Sequence, residues 1–178
     1  ILMCNPYYSA YLAGALSCGA EAAFLDATRE SHFLPNLEDL ETDTSLLART
    51  VALFICSPAN PQGAVADQKY ILKALTLARK YNFMLFLDEC YSEIYVDAPP
   101  PGGLEVASQT SERFKNLVIF NSLSKRSNVP GLRSGFCAGD RQFLEIYSEI
   151  RNMCAPQVSG PLQQASAALW GDEEHVID

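Results

Sequence analysis

Three short runs, VALFIC (51–56), FMLFLDE (83–89) and NLVIFNS (116–122), are apolar almost without interruption. A strand with one wet face alternates apolar and polar residues, whereas a strand covered on both faces does not. The segment between the first two, DQKYILKALTLARKY (67–81), reads as a helix. Asp67 is placed to cap it, and Ile71, Leu72, Leu75 and Ala78 share one face. Continuous apolar strands separated by helices predict an α/β fold: a mostly parallel, mixed sheet with helices on both faces. The other runs fit that pattern. Strands are expected at 1–4, 20–26 and 134–139. Helices are expected at 8–19, 36–43 (capped by Asn36), 141–153 and 161–170, with a loop at PPPGG (99–103).

Composition removes several function classes. The 178 residues suffice for one domain with a real core. A net charge of −8 argues against a general nucleic-acid binder, which needs a basic face. No apolar run reaches the roughly 20 residues that span a bilayer. The six cysteines show no CxxC spacing and no signal peptide precedes them, so they read as reduced thiols in a cytoplasmic protein. No metal site is expected, because His32 and His175 stand far apart without cysteine partners. The opening ILMCNPYY has no initiator Met and reads as a strand already under way, which predicts a segment of a longer protein.

In open α/β sheets, ligands collect at the carboxyl ends of the strands. Three such ends here carry polar groups. Asn60 follows the first run in SPANPQG; Asp88 ends the second; Ser122, Ser124, Lys125 and Arg133 follow the third in NSLSKRSNVPGLRSG. Singly, each has an ordinary reading. Asp88 could cap a helix or sit in a core ion pair, Lys125 could be a solvated lysine, and Asn60 a turn residue. Together they suit an aromatic aldehyde bearing a phosphate. A lysine among cations and apolar walls would be a good nucleophile toward the aldehyde, and a carboxylate would meet the ring nitrogen. Amide or hydroxyl donors would meet a ring oxygen, while Ser and Arg held the phosphate. The phosphate-binding patterns GxGxxG and GxxxxGK[ST] are both absent, which leaves a plain nucleotide domain without support.

SLSKRSNVPGLRSG resembles the lysine signature of class I/II (fold type I) pyridoxal-phosphate aminotransferases. SPANPQG resembles that family's Asn-Pro-x-Gly turn, and DECYSEI its Asp-x-x-Tyr segment. The wording of these stretches is most similar to the N-succinyl-diaminopimelate aminotransferase branch. The resemblance implies a large, cofactor-binding domain over 1–178, without the family's N-terminal segment and C-terminal small domain. It implies pyridoxal 5'-phosphate as cofactor, amino-acid and 2-oxo-acid substrates, and a homodimer. Lys125 would take the cofactor covalently and then move the substrate proton. Asp88 would pair with the ring nitrogen, and Asn60 and Tyr91 would bond the ring oxygen. Ser122 and Arg133 would hold the phosphate, and Tyr8 would stack on the ring, although ordinary core packing explains Tyr8 equally well. The same anchors serve a β-lyase, a synthase, a decarboxylase or a regulatory domain that only holds the cofactor, so all four stay open at this point.

Overall fold

The computed structural model describes residues 1–154 and 158–177. Six strands form one sheet: β1 (Leu2–Asn5), β2 (Ala23–Asp26), β3 (Ala52–Cys56), β4 (Met84–Asp88), β5 (Leu117–Ser122) and β6 (Gly135–Gly139), in the order β2-β1-β3-β4-β5-β6. All neighbours are parallel except β5 and β6. The mixed, mostly parallel sheet is therefore the one the apolar runs predict.

Side-chain alternation assigns the two faces. Leu2, Leu53, Leu85 and Leu117 share one register line and are fully buried. They meet α2 (Leu37–Thr42), α3 (Thr44–Arg49), α4 (Gln68–Tyr81) and α5 (Gly103–Ser108), which supply Leu37, Leu40, Leu47, Ile71, Leu75 and Val106 to the same core. The other face carries an aromatic row, Phe54, Phe86 and Phe120. Tyr11 of α1 (Ser9–Ser17) stacks on Phe54, and Phe143 of α7 (Arg141–Cys154) lies against Phe86. Helices thus cover both faces, but the aromatic side more thinly: α7 buries no residue fully.

Helix starts follow their caps. The Asp67 carboxylate accepts the Tyr70 N–H at 2.7 Å, and Asn36 accepts from Glu38 and Asp39. Four short helices were not expected from periodicity: α3, α5, α6 (Leu123–Arg126) and α9 (Glu174–Ile177). The expected helix at 36–43 stops at Thr42 because Asp43 caps a new one, its carboxylate accepting the Leu46 N–H at 3.0 Å. Helices of four to six residues show too few turns for a repeat to be read. The expected helix at 161–170 is α8 (Gly160–Trp170).

Strand β6 lies tight against β5. A Cβ on Gly139, whose φ is +145°, would come within 2.0 Å of the Leu117 carbonyl oxygen, and one on Gly135 within 2.5 Å of that of Asn121. This close approach fixes the end of β5, where the chain turns into α6 and Lys125.

Candidate active site

Strand order reverses between β1 and β3, the point of an open α/β sheet where ligands collect at the carboxyl ends. Cys56, Asp88 and Phe120 lie side by side on β3, β4 and β5, so the chain beyond each runs along one rim. Asp88 stands at its centre. Its Oδ2 accepts the Tyr11 hydroxyl at 2.5 Å and its Oδ1 accepts the Cys90 N–H at 3.0 Å. Burial, then the charge of Asp88, pushes the Tyr11 phenol well above its ordinary range, so it stays a donor. Among the described residues no cation pairs with Asp88. Both of these partners are neutral, and a carboxylate with two such bonds keeps acceptor capacity.

Tyr11 is a residue the sequence reading missed. It lies three positions after Tyr8, hence on the same helical face, and the two rings meet edge-on at 5.7 Å. An aromatic one turn beyond Tyr8 was the available signal. Tyr8 itself is 49% exposed.

Lys125 projects from α6 with its Nζ 5.6 Å from the centroid of the Tyr91 ring. It is exposed rather than walled by apolar groups, and the neighbouring guanidinium groups turn to partners of their own. Lys73, Lys80 and Lys115 each hold a glutamate, whereas Lys125 makes no ion pair among the described residues. Cys90 links it to Asp88. The Cys90 N–H bonds Asp88, and its thiol is pushed up by burial and by Asp88 against a smaller opposing effect of Lys125.

Asn60 borders a small cavity with Tyr7, Tyr11 and Cys56, on the Asp88 side of the rim. Ser122 caps α6: its Oγ accepts the Ser124 N–H at 3.1 Å and lies 2.9 Å from the Ser124 hydroxyl. Arg133 has its backbone at φ 51° and donates to its own turn, at the Pro130 carbonyl, 2.9 Å away. The structure thus gathers Asp88, Tyr91, Lys125, Tyr8 and Asn60 through shared neighbours, and Ser122 through the start of α6. It does not bring the Arg133 guanidinium into contact with Ser122.

Three thiols surround the site. Burial first raises Cys4 to about 12 and Cys56 to about 11, and it also raises Cys90. They stay protonated near neutral pH, so none of the three offers a thiolate at the site. A wider cleft of about 890 Å³ lies beyond β2, lined by Asp26, Glu30, Glu38, Asp39 and Asp67. Its charge has the wrong sign for a phosphate, and none of the expected site residues lines it.

Glu89, next to Asp88, is only 9% exposed, and its Oε1 accepts the Gly103 N–H at 2.6 Å. Burial raises its carboxyl from 4.5 to about 7; the Gly103 bond opposes this and Asp88 adds to it. The folded state therefore keeps a proton that the unfolded chain has lost. The contribution of Glu89 to stability is greatest below 4.5, falls as pH rises through 4.5 to about 7, and is flat beyond. Glu89→Gln keeps the acceptor and removes the ionisation. Urea denaturation of the whole protein at about pH 5 and about pH 8 is expected to show a smaller pH difference in the variant. An unchanged difference would refute the assignment.

Comparison with known proteins shows the family. The family model for aminotransferase class I and II matches residues 1–178. Transaminase BacF of Bacillus subtilis is 33% identical over 175 residues, covering 98% of this chain and 42% of that protein. An LL-diaminopimelate aminotransferase of Moorella thermoacetica is 34% identical, covering 99% of this chain and 44% of its own length. A crystal structure of an aminotransferase from Neisseria meningitidis superposes with a TM-score of 0.93 at 42% identity, covering 99% of this chain and 44% of that one. The chain spans less than half the length of the curated relatives it matches.

Proposed function

Because the chain belongs to the class I and II aminotransferases, we propose that the whole protein transfers an amino group from an amino acid to a 2-oxo acid with pyridoxal 5'-phosphate. The observation that carries this reading is the juxtaposition, at one sheet rim, of the Lys125 amine, which makes no ion pair among the described residues, with Asp88, whose partners among them are neutral donors. Bound there, the cofactor supplies an electron sink for the pair left when an amino acid loses its α-proton.

The residues present fit that group. Asp88 offers a charge to a protonated ring nitrogen, and Tyr11 keeps that carboxylate oriented. Asn60 and Tyr91 are available to the ring oxygen. The hydroxyls of Ser122 and Ser124, with Arg133 beyond them, are available to the phosphate once Arg133 leaves its Pro130 carbonyl. Tyr8, half exposed above Tyr11, offers a ring face for stacking. Lys125 holds the cofactor and then carries the proton as a general base, a role worth about 10²–10⁴-fold.

The proposal extends to the setting. Residues 1–178 form the cofactor-binding part, and substrate recognition lies mostly elsewhere in the whole protein. Relatives named LL-diaminopimelate aminotransferase support an amino-acid biosynthetic role. Six unpaired cysteines support a reducing, cytoplasmic compartment. Exposed Ile146, Ile150 and Met153 along α7 support a homodimer with an apolar contact. In the deciding experiment the whole protein is incubated with pyridoxal phosphate, an amino acid and a 2-oxo acid. Formation of the new amino acid in step with loss of the old is expected. Elimination or decarboxylation products in its place would reassign the chemistry to another enzyme on this scaffold.

A further inference from the structure

The residue after Lys125 behaves unlike any other cation in the chain. The Arg126 side chain is 4% exposed, although it carries a full charge. Its Nη1 donates to the Leu169 carbonyl at 2.7 Å, and both Nη1 and Nη2 reach that of Asp172 at 3.4 Å. Nη2 also donates to Glu173 Oε1 at 3.0 Å, and Nε lies 3.7 Å from Glu93 Oε1. The guanidinium sits over the Trp170 ring, 5.3 Å from its centroid. One side chain thus joins three segments: α6, the end of α8, and the turn that carries Tyr91.

Helix α6 is a single turn and cannot fix its own orientation. Its rotation is imposed from outside. Leu123 and Arg126, three residues apart, share the buried face, and Lys125 is left on the exposed one. Next door, the Ser127 hydroxyl lies 2.8 Å from His175 Nε2, a second tie to the same C-terminal segment. Burying an arginine is a costly way to gain stability, since an apolar residue of similar volume serves packing as well or better. What the arginine adds is direction: several donors in a rigid fork, each aimed at a fixed acceptor.

We propose that Arg126 is a positioning residue: by anchoring α6 to the end of α8 and to Glu93, it sets the rotation that holds the Lys125 amine above Tyr91. The proposal rests on Lys125 being the lysine that takes the cofactor, but its geometry can be tested without cofactor.

The test uses Arg126→Met and Arg126→Lys in the whole protein. In the cofactor-free form, acetylation of Lys125 is followed by peptide mass spectrometry against the exposed Lys69. Release of α6 is expected to raise the Lys125-to-Lys69 rate ratio severalfold in Arg126→Met and by less in Arg126→Lys. In the cofactor-loaded form, kcat is expected to fall by about tenfold or more with little change in KM, because a small misplacement of a reacting group acts on the chemical step. Arg126→Lys, which keeps the charge without the fork, should fall between. A folded Arg126→Met with both the ratio and kcat unchanged overturns the proposal. If Arg126→Met does not fold, Arg126→Lys decides: an unchanged ratio overturns it and a raised one supports it. If the unsubstituted protein takes up no cofactor, the transaminase reading fails, and the acetylation ratio still decides the positioning role.

Discussion

Lys125→Ala in the whole protein is expected to abolish covalent attachment of pyridoxal phosphate while leaving the fold intact. The chain has five lysines, so the choice among them can be argued. Lys73 holds Glu38 and Glu41, Lys80 holds Glu41, and Lys115 holds Glu112. An amine engaged by a carboxylate is a poorer nucleophile than one without such a partner. Lys69 is exposed on the first turn of α4. Only Lys125 stands beside an aromatic ring at the rim, linked to Asp88 through Cys90. Reduction of the loaded protein with borohydride, followed by peptide mapping, should label Lys125 and no other lysine, and the variant should take no label. Because the side chain is exposed and makes no ion pair among the described residues, its removal should change unfolding free energy by no more than about 0.5 kcal/mol. Label on Lys69, or a labelled variant, would refute the assignment.

The sheet was legible because its signal is redundant. In VALFIC, FMLFLDE and NLVIFNS every position reports burial on one face or the other, and the polar residue that ends each run marks the rim. Asp88 and Lys125 were legible for the same reason: polar groups appear where an apolar run stops. Tyr11 was not. It sits inside a mostly apolar helix, and the acid it bonds lies 77 positions away. Arg126 was hidden in another way. Beside Lys125 and Arg133 it reads as one more cation for an anion, yet its guanidinium is taken by carbonyls and glutamates from distant segments. Arg133 shows the converse. The sequence groups it with Ser122, while the structure has it bonded within its own turn. Chain order reports which element a residue belongs to; it does not report which way a long side chain turns.

Asp88→Ala is expected to lower kcat by roughly 10²–10³-fold, the usual cost of deleting one preorganised electrostatic group, while raising the dissociation constant for pyridoxal phosphate by about tenfold or less. The disparity follows from how the acid is held. Its two bonds, from Tyr11 and Cys90, are both neutral, so they orient the carboxylate without neutralising it. A charge kept this way can act on a cation brought next to it. On the proposed roles, cofactor affinity would draw on several anchors at once, including a covalent link to Lys125, and would lose only a share. On the same proposal the chemical step would depend on the ring nitrogen staying protonated, and Asp88 is the acid proposed to ensure it. Asp88→Asn separates shape from charge: it retains an oxygen for Tyr11, so a loss close to that of Asp88→Ala assigns the effect to the charge. Tyr11→Phe probes the orientation alone. The ring can still stack on Phe54, 4.8 Å away, and only the hydroxyl is lost. A bond to a charged acceptor is worth about 1.5–3 kcal/mol, so kcat should fall by about 10–100-fold, less than for Asp88→Ala. Equal loss of kcat and affinity in Asp88→Ala would make the acid an anchor rather than an electrostatic partner of the ring. A fully active Asp88→Asn would remove its charge from the mechanism altogether.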